Sequence, residues 1–292
     1  MRDVISPGLQ RDTASGTEEH VHGLRTVIKR VRAYLRLLRD NIDETWYRRT
    51  DSNLRDAARG LSKSRDIAVL RETVDYLEKQ TNDAGTSDTL ILFRATLSDG
   101  DPDNRVGTAV RGAEDALRAA LESFEGLQLD AGDWCLFETG LRRTYRMARR
   151  SMRRWMRSES PDDAHRWRKH SKYLMFQIQL LQKAWPGGLP SLRKKLVRIE
   201  TCLGTAHDLV MLEMAVTRAA ADGEISGDQA QLVIDEIERC RSSNIRRAKK
   251  TGRKIFADRP REFVNVIGGR WQRWIRCNDA GRCHVLGDIF HD

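Results

Sequence analysis

Two pairs of matching motifs divide this sequence into related halves. The segment 22–29 (HGLRTVIK) returns 143 residues later as 165–172 (HRWRKHSK), with His, Arg and Lys at the same spacing. A second pair, 61–70 (LSKSRDIAVL) and 203–212 (LGTAHDLVML), is offset by 142 residues. Two independent pairs that share nearly one offset indicate a duplicated unit. The sequence therefore predicts a pseudo-twofold molecule made of two similar halves.

The local pattern in both halves is helical. Apolar residues recur with a period near 3.6, and runs of β-branched residues are few. The segment Ser160-Pro161-Asp162-Asp163 is a strong helix start, with a Ser N-cap, Pro at the first helical position and an acid at the third. We expect an all-α fold in which each half forms a bundle of four or more helices. The expected breaks, rich in Gly, Pro, Ser, Asn or Asp, are 81–88, 98–104, 158–163, 185–190 and 221–227.

Positive charge is concentrated in a few segments. The chain has 52 Lys and Arg against 42 Asp and Glu, a net charge of +10. Residues 141–200 alone hold 17 Lys and Arg against 4 acids, a net of +13. Between Val21 and Arg39 there are 6 Lys and Arg and no acid. Clustering of this kind indicates a binding site for an anion, more strongly than a high overall pI does.

On a helical projection these charges form stripes. Basic side chains that begin at His22 fall within a sector of about 100°, beside an apolar sector that starts at Leu24. A solvated helix face normally mixes charges of both signs, because like charges repel. An acid-free stripe therefore predicts that a bound anion supplies the missing compensation. The stripes of the four helices contain His22, Arg25, Lys29, Arg32, Arg36 and Arg39; Arg142, Arg146, Arg149, Arg150, Arg153 and Arg157; His165, Arg168, Lys169 and Lys172; and Arg246, Lys249, Lys250 and Arg253.

Other features narrow the class of protein. The five cysteines are widely spaced, and Cys277, Cys283, His284 and His291 match no zinc pattern, so we expect reduced thiols and no metal or other cofactor. The N-terminal residues lack the apolar segment of a secretory signal, and no run of about 18 apolar residues occurs. These observations favour a soluble cytoplasmic protein that does not interact with membranes.

The motifs resemble those of the CHAD family of histidine-containing helical domains. The opening helix 21–38 (VHGLRTVIKRVRAYLRLL), the second-half segments 140–150 and 165–181, and the paired motifs at 61–70 and 203–212 occur in the family's order. The resemblance covers 18–267, with halves at about 18–126 and 134–267. It leaves 1–17 as a flexible tail and 268–292 as a C-terminal tail.

This resemblance implies two pseudo-symmetric four-helix bundles around a basic central groove or pore. It further implies non-catalytic binding of inorganic polyphosphate and association with polyphosphate granules. The second-half stripe is expected to be shorter, because Met175 stands where some members have another basic residue. The contacts carried over are His22, Arg25, Lys29, Arg30, Arg32, Arg142, Arg146, Arg149, Arg150, His165, Arg168, Lys169 and Lys172. To these the stripes add Arg36, Arg153, Arg246, Lys250 and Arg253.

Two other functions are compatible with parts of the pattern. His207-Asp208 matches the His-Asp motif of HD-type metal phosphohydrolases. Its repeat partner, Arg65-Asp66, begins with a residue that does not bind metals, which argues against this class of enzyme. We therefore expect Asp66 and Asp208 to cap helices or to orient basic side chains of the groove. An RNA-binding protein is the stronger alternative, although single-strand binding usually adds aromatic side chains to the basic surface.

Overall fold

A computed structural model describes residues 18–61, 66–97, 105–125 and 134–279 of the chain. Within these ranges it contains ten α-helices and no strand, which confirms the all-α prediction. Two short 3₁₀ segments follow the first and seventh helices, at Arg39–Asn41 and Gln182–Ala184. The helices are α1 (Glu18–Leu38), α2 (Glu44–Gly60), α3 (Asp66–Glu78), α4 (Ala84–Thr96), α5 (Arg105–Glu125), α6 (Cys135–Ser158), α7 (Pro161–Leu181), α8 (Leu189–Ala221), α9 (Gly227–Ile255) and α10 (Pro260–Asp279).

Helix starts follow the capping chemistry of the sequence. The Ser160 hydroxyl accepts a hydrogen bond from the Asp163 backbone N–H at 3.3 Å, and Pro161 occupies the first turn of α7, as predicted. Asp43 caps α2 and Asp83 caps α4 in the same way. These caps satisfy N–H groups that have no partner within the helix. The breaks expected at 81–88 and 158–163 are consequently shorter, because the helix begins directly after each cap.

The helices form two compact units, and each unit combines segments from both sequence halves. Unit 1 comprises the described residues of Met1–Lys63, Asp103–Val197 and Lys254–Asp292. Unit 2 comprises those of Ser64–Pro102 and Arg198–Arg253. The internal duplication, the two four-helix bundles and the central groove stay predictions.

The core of unit 1 is organised around α1. Its apolar face, including Leu24, Ile28 and Leu35, is fully buried, and the helix packs against α2, α5, α6 and α7. The crossing with α6 is close: a Cβ on Gly140 would lie 1.9 Å from the Leu37 carbonyl oxygen. Only glycine fits there, because any larger residue would drive the two backbones apart.

Helix α10 also belongs to the core of unit 1. Trp271 is 1% exposed, and its ring lies 5.0 Å from Phe137 and 6.1 Å from Trp134 of the α6 end. The predicted domain boundary at 267 thus falls inside a packed helix. Residues 268–279 are not a tail, because burial of this aromatic cluster fixes α10 against α6. The rest of the predicted C-terminal tail and the predicted tail 1–17 lie outside the described residues.

Unit 2 has a separate apolar core between α3, α4, most of α8 and most of α9. Val74 and Leu90 are fully buried there, with Leu212 and Val233 from the later helices. Asn244 donates a hydrogen bond to the Tyr76 hydroxyl at 3.0 Å within this unit. None of the described helices combines the length and the apolar character needed to cross a lipid bilayer.

Candidate anion-binding site

The stripe on α1 is less uniform in the structure than in the sequence. His22 is exposed, whereas Arg25, Lys29 and Arg30 are half-buried. Arg25 donates from Nη1 to the Leu61 carbonyl oxygen at 2.9 Å, so this side chain also closes the end of α2. The stripe on α1 therefore includes a basic side chain, Arg25, that contacts a neighbouring segment, beside His22, which is exposed to solvent.

The expectation of an uncompensated stripe is wrong for its second half. Asp51 of α2 accepts hydrogen bonds from Arg32 Nε and from Arg36 Nη1, both at 2.9 Å. Arg39 pairs in the same way with Glu44, at 2.7 Å. The stretch from Val21 to Arg39 contains no acid, but α2 brings these two acids against it. Arg32 and Arg36 therefore have an internal counter-charge, and an external anion would have to compete with Asp51 for them.

The Arg32–Asp51–Arg36 triad is largely buried, and one of its arginines packs on an aromatic ring. Its side chains are only 12%, 14% and 22% exposed, and the Arg36 guanidinium lies 4.3 Å from the centre of the Tyr173 ring. Burial acts to raise the pKa of Asp51, but the Arg32 hydrogen bond and the charges of Arg36 and Arg32 hold the pKa below its usual value. Asp51 therefore stays ionised at neutral pH.

The stripe on α6 lines a pocket. Arg146, Arg150, Arg153 and Arg157 project from one face of the helix, as the projection predicted, and all four are exposed. With Arg149, Met156 and Pro260 they enclose a volume of about 530 Å³. None of these four exposed arginines pairs with an acid within the described ranges, whereas Arg142, at the start of the stripe, lies 3.8 Å from Glu138. Positive charge is therefore concentrated in one open pocket.

Arg149 is positioned by the turn between α9 and α10. Its Nε donates to the Phe256 carbonyl oxygen at 2.9 Å, and Nη2 donates to the Ala257 carbonyl oxygen at 3.2 Å. The nearby Tyr145 hydroxyl donates to the Ile255 carbonyl oxygen at 3.0 Å. These bonds satisfy carbonyl groups at the end of α9 and fix the pocket wall that carries Pro260.

The stripe on α7 begins with exposed His165 and Lys169 and half-buried Arg168 and Lys172. His170, which the stripe did not include, turns toward α6, and its Nδ1 lies 2.7 Å from the Ser151 hydroxyl oxygen. Burial, with the positive charges of Lys169, Arg36 and Arg166, lowers the pKa of His170 to about 4. This imidazole is neutral at physiological pH.

The remaining predicted residues belong to unit 2. Arg246, Lys250 and Arg253 are exposed on α9. Asp208 lies in the middle of α8, so the prediction that it caps a helix is wrong. Asp66 is the first residue of α3, and its side chain lies outside the described part of the chain. The structure thus brings together the stripes of α1, α6 and α7 within unit 1, and it places the α9 stripe in the other unit.

Sequence reasoning did not single out three residues that the structure makes important. Asp51 was missed because its role depends on the packing of α2 against α1. Arg193, near the start of α8, is half-buried, and its Nε atom has no hydrogen-bond partner. Pro260 completes the α6 pocket from a helix about 110 positions later. The available signal for Arg193 was the high local charge of 141–200.

The fold and this pocket define an all-helical protein with a strongly cationic, arginine-lined site. The chain belongs to the CHAD domain family, whose sequence model matches residues 7–217. The match contains the stripes of α1, α6 and α7, whereas α9 and α10 lie beyond it. No curated protein and no solved structure matches the chain.

Proposed function

We propose that this protein binds inorganic polyphosphate, without catalysis, along the basic faces of unit 1. The observation that carries the proposal is the α6 pocket, in which Arg146, Arg150, Arg153 and Arg157 have no acidic partner within the described ranges. The planar guanidinium group offers paired N–H donors that match phosphate oxygens. Membership of the CHAD domain family supports the same ligand class.

The shape of the cationic surface favours a long anion. Arg142 and Arg157 lie at opposite ends of a stripe that extends for about 22 Å, at 1.5 Å per residue. A single phosphate would contact only part of such a stripe. A polymer of phosphates would neutralise successive turns of the helix and would displace the counterions that surround it in solution.

The lining of the pocket favours polyphosphate over RNA. Apart from arginines, the pocket is lined by Met156 and Pro260. Neither side chain is an aromatic platform for stacking a base, which single-strand binding proteins commonly provide. Trp155 points into the core and is 2% exposed. Charge without stacking surfaces suits a polyanion that has no bases.

The test is a binding assay across salt concentrations with a triple variant. Changing Arg146, Arg150 and Arg153 to Ala should weaken polyphosphate binding and lower the log–log salt slope by about 2–3, since each neutralised phosphate contributes about 0.7–0.9. The matched control changes Arg48, Arg55 and Arg59 of α2 to Ala. These three arginines are exposed and already pair with Glu44 or Asp56, so binding should hardly change.

Three results would contradict the proposal. Equal losses in the two triple variants would show non-specific attraction. Preferential binding of single-stranded RNA of equal charge would indicate a nucleic-acid protein. Metal-dependent release of phosphate would indicate an enzyme. Circular dichroism on each variant checks that helicity is retained.

We also propose that the protein resides in the cytoplasm at polyphosphate granules in cells that accumulate the polymer. A fluorescent fusion should co-localise with granules and should disperse when Arg146, Arg150 and Arg153 are changed to Ala. A diffuse signal from the wild-type fusion in granule-containing cells would contradict this localisation.

A further inference from the structure

Two half-buried arginines of unit 1 each have a buried nitrogen atom that lacks a hydrogen-bond partner. The Nε atoms of Arg30 on α1 and Arg193 on α8 are both buried and have no hydrogen-bond partner. Neither guanidinium pairs with an acid among the residues that the structure describes. Buried polar atoms almost always have a partner, and a partly desolvated charge without one is costly.

Both arginines lie near one tyrosine. Tyr34 of α1 is 3% exposed, and burial raises its pKa to about 12, while the nearby charges of Arg30 and Arg193 act to lower it. The Arg30 guanidinium also lies over the Phe176 ring, 5.7 Å from its centre. Two positive charges thus lie near the Tyr34 hydroxyl, which remains protonated at neutral pH, and one of them also lies over the Phe176 ring.

The first sequence half treats the corresponding position differently. Arg193 stands 142 residues after Asp51, the offset that relates the motifs 61–70 and 203–212. Asp51 compensates two arginines of α1, whereas Arg193 adds a further positive charge beside Arg30. The counter-charge that one of these two positions supplies to α1 is therefore replaced by a further positive charge at the other.

We propose that Arg30 and Arg193, together with the Tyr34 hydroxyl, form a discrete subsite that holds one phosphoryl group of the bound polyphosphate. Two guanidinium groups and a hydroxyl offer several N–H and O–H donors to the oxygens of one tetrahedral phosphate. A phosphodiester of RNA is less suitable, because its flanking sugars would have to enter a half-buried place. The proposal rests on polyphosphate binding as proposed above, and it adds Arg193, which lies on none of the four stripes.

The experiment measures thermal unfolding of the full chain with increasing inorganic phosphate or tripolyphosphate, at ionic strength held constant with sodium chloride. The wild-type Tm should rise with either anion. In Arg193→Met the affinity for tripolyphosphate should fall about ten- to hundredfold, the range expected for a lost charge-assisted hydrogen bond. Without phosphate, this variant should have a Tm equal to or above that of the wild type, because an uncompensated charge is gone. Lys194→Met is the matched control, since Lys194 is exposed on the same helix.

The outcomes separate a binding role from a structural one. A lower Tm of Arg193→Met in phosphate-free buffer would show that Arg193 stabilises the fold. Equal responses of Arg193→Met and Lys194→Met to phosphate would contradict the proposed subsite. A parallel titration with long polyphosphate tests the proposed function by itself. If the wild type binds long polyphosphate while both Met variants respond alike to phosphate, the subsite fails and the function stands. If long polyphosphate does not bind, the function fails.

Discussion

Replacement of Asp51 by Asn should destabilise the protein and strengthen the proposed binding of polyphosphate. Asp51 accepts hydrogen bonds from Arg32 and Arg36, and all three side chains are between 12% and 22% exposed. Asn keeps the volume and one acceptor oxygen but removes the negative charge. The two arginines would then lack their counter-charge, and their mutual repulsion would be relieved by an external anion.

The magnitude follows from the burial of the triad. Loss of one partner from a fully buried ion pair costs about 3–5 kcal/mol, whereas loss from an exposed pair costs less than about 1 kcal/mol. The triad lies between these limits, so we expect a loss of about 2 kcal/mol and a decrease in Tm of about 5 °C. The control, Asp56→Asn, alters an acid on the same helix that is 56% exposed, and it should change the Tm by less than about 1 °C.

The pH dependence has a defined sign. Because the pKa of Asp51 is lower in the fold than in the unfolded chain, its contribution to stability is present above the unfolded pKa, near 3.8, and is lost as pH falls. The difference in Tm between wild type and Asp51→Asn should therefore shrink below about pH 4. Thermal unfolding by circular dichroism from pH 7 to pH 3 measures it.

The binding measurement can refute the reasoning. Fluorescence titration with labelled polyphosphate should give tighter binding for Asp51→Asn and a salt slope steeper by up to about 1.8, as two further arginines become available. If stability falls but affinity does not change, Arg32 and Arg36 are structural residues and not ligand contacts. If neither changes, the triad does not contribute as its geometry implies.

Two further predictions concern packing and protonation. Gly140→Ala should reduce the free energy of unfolding by at least about 3 kcal/mol, because the new Cβ would meet the Leu37 backbone. Gly112→Ala, at an exposed helical site with no atom within 4 Å, should raise the free energy of unfolding by about 0.5–1 kcal/mol. Denaturant titration compares the two variants. His170, whose pKa is lowered to about 4, contributes stability above the unfolded pKa near 6.5, so the wild type should lose about 2–3 kcal/mol between pH 6.5 and pH 4. His170→Gln should flatten this part of the stability profile, and an unchanged profile would assign the loss to other groups.

Periodicity and capping were sufficient to predict the all-α class, the start of α7 and the face that the α6 arginines share. The start of α7 at Pro161 and the shared face of Arg146 and Arg153 both follow from local rules about caps and 3.6-residue turns. Such rules describe one helix at a time. They predict which side chains share a face of the helix, and this prediction does not depend on what the face contacts in the folded protein.

Partners from other helices could not be predicted in this way. Asp51 compensates Arg32 only because α2 packs against α1, and Pro260 lines the pocket only because α10 packs against α6. The stripe on α1 therefore looked uncompensated in sequence although half of it is paired. The local sequence was compatible with a helix cap at Asp208, because nothing in it shows that α8 continues through this residue.

The position of Arg149 has a consequence for the order in which the molecule is completed during synthesis. The carbonyl groups that hold its guanidinium belong to Phe256 and Ala257, and the pocket wall is closed by Pro260. A ribosome-bound chain that has been extended only through the family-matched region contains the α6 arginines but not the segment that orients them. A finished pocket thus needs the chain through Pro260, so the proposed capture of polyphosphate in this pocket would select molecules that contain this segment over those terminated before it.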